Sequence, residues 1–341
     1  MIEKKILVLT EGGCKCGFGH ITRCVSIGSA FRSKGFEVDF LIDGDKSIEN
    51  IVENFKYRVF DWKSNFEKTS YLIKRSSIIL LDSIQVSNEY VRKISSLRVP
   101  IIHIDDDKQS NVINNGFIVD WTVLREGGFK KSDRREKVTY LLGSKYTPLR
   151  SDFYNVKKYI IRENIGQIMI TFGGSDFRKI TLKVLKFFTK FYPEIRKKIV
   201  IGGGLNSDYI FSIKNHLDKN SDLIINASTK VMIETMYSSD VAIASGGQTL
   251  YELAKVGTPT IAIIVVDNAL HDTLGWEKAG FLKNVGWYFD SNLTSNIQEE
   301  IEIMKNLLER ERMSNSGLRL MSGNGANLIV DNVIEKVYDT V

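Results

Sequence analysis

The chain has 341 residues, 43% hydrophobic and 26% charged, the proportions of a globular protein with room for two cores. Its formal charge is +6 with Lys and Arg scattered throughout, which disfavours a nucleic-acid binder and leaves small anionic molecules as partners. No apolar run reaches the twenty or so residues that span a bilayer, no signal-peptide pattern opens the chain, and three cysteines point to a reducing cytoplasm rather than a disulfide framework.

Short β-branched runs alternate with longer amphipathic segments. Strands are predicted at 5–10, 37–42, 58–60, 77–82, 100–104 and 117–124. After a break they resume at 166–172, 197–202, 222–226, 240–244 and 259–265. Helices are predicted at 21–34, 87–97, 178–191, 208–218, 229–238 and 248–256, with a last amphipathic helix at 324–340. Such alternation means α/β architecture, with parallel sheets covered by helices. It is too long for one sheet, and it restarts near residue 166. The charged stretch "VKKYIIRENIGQ" holds the boundary, giving a Rossmann-like domain at 1–155, a second at 156–322, and a C-terminal helical segment, 323–341, able to pack back on the first. Helix 178–191 and the residues after it, "KVLKFFTKFYPEIRKK", are basic and aromatic but read as an ordinary amphipathic surface.

In doubly wound folds ligands gather at the carboxyl ends of the strands. The glycine clusters fall there: 12–19, 173–174, 202–204 and 246–247. If the two domains face each other, these clusters line a single cleft. The first, "EGGCKCGFGHITRC" at 11–24, lacks the full G-x-G-x-x-G spacing and is followed by no Walker lysine. His20 is its most informative residue. It stands where loop becomes helix, and a helix N-terminus disfavours a cationic ring, leaving the imidazole able to accept a proton. A general base and a capping or interface histidine both satisfy that position. Cys14, Cys16, His20 and Cys24 could also supply four zinc ligands, but Cys-x-Cys inside a glycine loop is not a standard zinc arrangement and no second pair follows. Cys24 shares the spacing of Ile21, Ile27 and Gly28, a buried face.

"GFGHITRC" followed by an apolar helix resembles a family that joins the pseudaminic-acid-pathway UDP-sugar hydrolases to the SpsG-like spore-coat polysaccharide proteins. The likeness continues in "HIDDD" at 103–107, "GSKYTPLRSDF" at 143–153 and "ITFGGSD" at 170–176. It extends through "ASGGQTLYELAKVGTPTIAI" at 244–263, "DNALHDTLGWEKAGF" at 267–281 and "GNGANLIVDNV" at 323–333, where Asn327 replaces the usual arginine. The resemblance implies the GT-B fold of the MurG-like superfamily, two Rossmann-like doubly wound domains facing across a cleft. It implies a UDP-sugar substrate, no metal and no cofactor. His20 would activate water at the anomeric carbon, and Asp82, retained from the family's strand end, would be a second catalytic residue. Gly17, Gly19, Arg23, Tyr146, Arg150, Gly173, Gly174, Ser175 and Asn268 would touch substrate. UDP would be held by Met232, Ser245, Gly246, Gly247, Gln248, Thr249 and Glu252. Oligomeric state stays open, and a monomer fits.

Physical reading of "SGGQT" agrees: a glycine turn enters a helix whose first amides and Thr249 hydroxyl suit a diphosphate, and Glu252 can accept both ribose hydroxyls. The bland alternative makes Thr249 a cap and Glu252 a surface acid, and the turn at 172–176 a plain cap. His103 fits a buried strand and His216 a helix surface, while His271 has no family counterpart. One departure matters. Where the hydrolases carry Asp-His-Tyr at a strand end, this chain has Asp82, Ser83 and Ile84, and isoleucine cannot shuttle a proton. A UDP-sugar hydrolase is therefore the first expectation, a UDP-sugar glycosyltransferase the second, and a catalytically silent nucleotide-sugar binder the third.

Overall fold

The computed structural model describes residues 4–14, 16–105, 112–124, 137–174 and 176–338. Two compact units form. The first takes residues up to Thr122, a segment ending at Ser151, and everything from Gly323; the second takes 123–124 and Asp152–Ser322.

Seven parallel strands build the first unit's sheet: β1 (Lys5–Gly12), β2 (Glu37–Gly44), β3 (Lys56–Val59), β4 (Ile78–Asp82), β5 (Ile101–Ile104), β6 (Gly116–Asp120) and β7 (Val138–Leu142). Their order is β3-β2-β1-β4-β5-β6-β7. Runs such as Ile6–Leu9 and Ile78–Leu81 are buried on both faces, as a helix-covered parallel sheet demands. The order reverses between β1 and β4, which pair in register from Ile6↔Ile78 to Thr10↔Asp82. That switch point opens a crevice at the carboxyl ends of two neighbouring strands.

Helix α1 (Gly19–Ser33) follows β1 directly. Short helices α2 (Glu49–Val52), α3 (Phe66–Ile73) and α4 (Asn88–Ser95) cover the rest; Asn65 and Ser87 accept amide hydrogens as caps of the last two.

The second unit has six parallel strands: β8 (Gln167–Thr171), β9 (Arg196–Ile201), β10 (Ser221–Ile225), β11 (Val241–Ser245), β12 (Thr260–Ile264) and β13 (Leu282–Trp287), in the order β10-β9-β8-β11-β12-β13. Its switch point lies between β8 and β11. Around the sheet run α5 (Ile180–Phe191), α6 (Ser207–Lys214), α7 (Thr229–Ser238), α8 (Gln248–Val256), α9 (Ala269–Lys278), α10 (Leu293–Met304) and α11 (Leu307–Leu320). The final helix, α12 (Gly325–Tyr338), belongs to the first unit and packs on α1. Lys34 meets Asp331 at 2.7 Å, and the rings of Phe36 and Tyr338 meet edge to face at 5.4 Å. At its start the backbone comes so close to the turn 146–147 that a Cβ on Gly325 would stand 2.2 Å from the Thr147 carbonyl oxygen.

Three differences from the sequence reading have physical causes. The strand predicted to run to residue 124 stops at Asp120, whose carboxylate accepts the Thr122 amide and turns the chain. Strands β7 and β13 were not expected. Both are sheet edges, and "LKNVGW" carries Lys283, Asn284 and Gly286, the polar and glycine-broken composition that edge strands tolerate. Among the described residues no helix is long and apolar enough to cross a membrane.

Candidate functional site

The first unit's switch point gathers a charged cluster. β1 delivers the glycine loop and then α1, whose first turn carries His20 and, one turn on, Arg23 and Cys24. β4 ends on Asp82, 1% exposed. The Nδ1 atom of His20 lies 2.8 Å from Oδ1 of Asp82. Arg23 grips the same carboxylate with both prongs, Nε donating to Oδ2 and Nη2 to Oδ1, each at 2.6 Å. Its guanidinium lies over the Trp121 ring at 4.9 Å, and the Cys24 thiol donates to Oδ2 at 3.5 Å.

Burial alone pushes the Asp82 carboxyl up, but Arg23 and His20 together overcome it and hold the group well below the usual carboxylate range. Asp82 is thus an ionised acceptor. It follows that Nδ1 of His20 carries the ring proton and donates it, and that the 3.0 Å approach of Arg23 Nη2 to Nδ1 is two donors converging on one oxygen. Nε2 bonds to none of the described residues, on a side chain 12% exposed, and is the nitrogen that holds the lone pair whenever the ring is unprotonated. A histidine fixed by a carboxylate at one nitrogen with a basic second nitrogen is the arrangement of a general base.

Arg23, expected to touch substrate, holds Asp82 through both prongs and is 8% exposed, a position that orients the carboxylate. Cys24 is fully buried, as its helical spacing predicts, with its thiol pushed up by burial and by Asp82. Cys14 is exposed and Cys16 half-buried. Gly13 and Gly17 pair across a tight hairpin through two backbone hydrogen bonds, and Gly17 and Gly19 face open space.

A second layer escaped the sequence reading. Glu11, 1% exposed at the end of β1, accepts the Ser83 hydroxyl on Oε2 at 2.5 Å and the Ile84 amide on Oε1 at 3.2 Å. Lys63 balances it at 3.3 Å and reaches Asp43 at 2.7 Å. Ser83, where the resembling hydrolases carry histidine, is therefore a buried anchor for the turn after Asp82, and Ile84 is 40% exposed. A buried glutamate following an apolar strand was the available signal.

Tyr146 is buried in the turn after β7, and the strand order sets that edge roughly 14 Å from β4. Arg150 follows it, half-buried and partnered. His103 is buried in β5 and partnered, His216 is exposed with Nδ1 on the Ser212 carbonyl at 2.8 Å, and His271 is exposed. Ser175, Asp106 and Asp107 lie outside the described residues.

In the second unit, the switch point brings the loop after β8 and the loop after β11 side by side. Gly173 faces open space, while Gly174 packs so closely on Gly202 that a Cβ there would lie 2.4 Å from its Cα. Asp176 takes the cap role: its oxygens accept the amides of Ile180 at 2.9 Å and Thr181 at 3.0 Å, and the Tyr209 hydroxyl at 2.8 Å.

The turn after β11 is different. Gly247, at φ 107°, is the N-cap of α8 and has no side chain with which to cap that helix. Thr249 is half-buried and its hydroxyl meets no partner among the described residues, so it is not a cap. Ser245 is buried; Gln248 is half-buried and partnered. Gly246 is required by packing, since a Cβ would stand 2.5 Å from that of Ala269 at the head of α9. Glu252 is 4% exposed and partnered, not a surface acid. Met232 is half-buried on α7, and Asn268 is exposed at the head of α9. A helix N-terminus behind a glycine N-cap offers amide donors to an anion.

No family model matches the chain. An uncharacterized protein of Methanocaldococcus jannaschii is 25% identical over 269 residues, 76% of this chain but 55% of that protein, so the chain spans about half of that relative's length. The spore coat polysaccharide biosynthesis protein SpsG of Bacillus subtilis is 21% identical over 274 residues, 76% of this chain and 77% of SpsG. Among solved structures, MurG of Acinetobacter baumannii covers 97% of the chain and 99% of itself, with a TM-score of 0.67 at 13% identity. The fold is GT-B. A UDP-GlcNAc 2-epimerase of Neisseria meningitidis, solved bound to UDP-GlcNAc, covers 97% of the chain and 100% of itself, with a TM-score of 0.61 at 14% identity.

Proposed function

We propose that this protein is a cytoplasmic nucleotide-sugar hydrolase that takes a UDP-sugar and releases UDP and the free sugar, in surface-polysaccharide or nonulosonic (pseudaminic-type) acid synthesis. The observation that carries the reading is the His20–Asp82 pair, with Asp82 ionised and Nε2 of His20 bonded to none of the described residues. Nε2 takes a proton from water as the water oxygen bonds to the anomeric carbon. The bond from that carbon to the β-phosphate oxygen breaks, its electron pair leaves with UDP, and the configuration at the carbon inverts. Asp82 stabilises the imidazolium formed, and Arg23 keeps the carboxylate ionised and aimed. The second unit's part is the diphosphate: the amides at the head of α8 and the Thr249 hydroxyl receive the charge that grows on it, with Glu252 on the ribose.

The SpsG relative supports the polysaccharide setting, and the epimerase bound to UDP-GlcNAc supports a UDP-sugar as ligand for this fold. Ile84 favours a second reading. An exposed apolar side chain two residues past Asp82, in place of a tyrosine, suits a carbon-rich acceptor hydroxyl better than water, and the same base would then serve a glycosyltransferase. Incubation with a UDP-sugar panel separates the two. The hydrolase releases UDP and free sugar without acceptor, and His20→Ala abolishes the release. A transferase releases UDP only when an acceptor is added, and binding without turnover under either condition refutes both.

A further inference from the structure

We infer that the outer face of α5 docks the protein peripherally on an anionic lipid surface. Helix α5 buries Ile180, Val184, Leu185, Phe187 and Phe188 in the core of the second unit. Its other face carries Lys183, Lys186 and Lys190, all exposed, within an arc of about 60° at the helical repeat. Lys179 stands at its N-cap and Arg178 just before it, and the helix contains no acidic residue. None of these five cations has a carboxylate partner among the described residues. Three like charges on α5 and two at its entrance, without carboxylate partners among the described residues, make a local positive field that attracts a surface of opposite sign.

Aromatic rings accompany the stripe. Arg178 lies over Phe177 at 4.9 Å and over Tyr288 at 4.8 Å; Tyr288 meets Phe289 at 5.1 Å, and Lys183 donates to the Tyr288 carbonyl at 3.4 Å. Phe289 is 67% exposed and Phe177 57%, so two phenyl rings stand in water beside the cations. At the other end Lys190 sits over Phe191, itself 51% exposed. Cations and apolar rings side by side on a convex helix match the headgroup layer, where charge meets phosphate and rings enter the acyl boundary. Charge and apolar rings together fit the headgroup layer, and competition by a single-stranded oligonucleotide separates lipid from nucleic acid, whose bases also stack on exposed rings.

The test is co-sedimentation of the full chain with vesicles of phosphatidylcholine alone and of phosphatidylcholine with phosphatidylglycerol. Binding is expected only to the anionic vesicles and falls as salt rises. The triple variant Lys183→Gln, Lys186→Gln, Lys190→Gln is expected to bind roughly a hundredfold less tightly, about fivefold per lysine. Phe289→Ser lowers binding without changing its salt dependence, and both variants keep UDP affinity and the circular dichroism of the parent. The inference is overturned if the parent ignores anionic vesicles, if the triple variant binds as the parent does, or if a single-stranded oligonucleotide competes the vesicles away at equal charge.

Discussion

Two donors, Nδ1 of His20 at 2.8 Å and Nη2 of Arg23 at 2.6 Å, share the single oxygen Oδ1 of Asp82. This fixes the ring tautomer and separates the two jobs of the cluster: the carboxylate aims the histidine, and the guanidinium keeps the carboxylate charged. Asp82→Asn keeps the shape but removes the fixed tautomer. The turnover number is expected to fall by roughly 10³–10⁴ with KM little changed, measured as UDP release at saturating substrate.

The same residue governs acid stability. The Asp82 carboxyl is held below its unfolded range, so its stabilising contribution is present above the unfolded value of about 3.9 and fades as pH falls below that. Removing the charge also strands a guanidinium that is 8% exposed. Urea unfolding of Asp82→Asn at pH 7 is expected to show a loss of about 3–5 kcal/mol against the parent, unchanged down to about pH 5 and narrowing at pH 3. A gap that widened on acidification would contradict the ionised assignment.

UDP affinity tests the turn after β11. Glu252→Gln removes a charged acceptor while keeping its volume, and calorimetry is expected to show UDP binding weaker by about 1.5–3 kcal/mol. Thr249→Val, which removes a hydroxyl without a partner among the described residues, is expected to cost about 0.5–1.5 kcal/mol in UDP binding and to leave the melting temperature unchanged. Unchanged affinity in both variants would remove this turn from nucleotide binding.

Gly325 is a packing residue. Its substitution by Ala drives a Cβ into the Thr147 carbonyl oxygen and pushes the head of α12 away. Thermal unfolding is expected to show a loss of about 1–3 kcal/mol. A variant as stable as the parent would show that α12 is not tightly seated on the turn at 146–147.

The interior strands were legible because burial on both faces leaves runs such as Ile78–Leu81 that read as strand from composition alone. Strand β13 was not, since Lys283, Asn284 and Gly286 break its apolar run, and β7, "VTYLL", was passed over although its composition is that of a strand. At the site, His20 and Asp82 were legible as residues, through the loop that carries the first and the strand end that carries the second. Their pairing was not, because it depends on β1 and β4 being neighbours across 62 positions of sequence. The bond of Arg23 to Asp82 was hidden for the same reason, since it spans 59 positions of sequence. Glu11 and Ser83 stayed hidden because their bond spans 72 positions.

Reaction in ¹⁸O-water, with the released UDP weighed by mass spectrometry, tests most directly whether His20 sends water to carbon. The account predicts UDP without label and an unlabelled leaving oxygen, formed at a rate that collapses in His20→Ala. Label in the UDP phosphate, or release that persists undiminished without the imidazole, would contradict it.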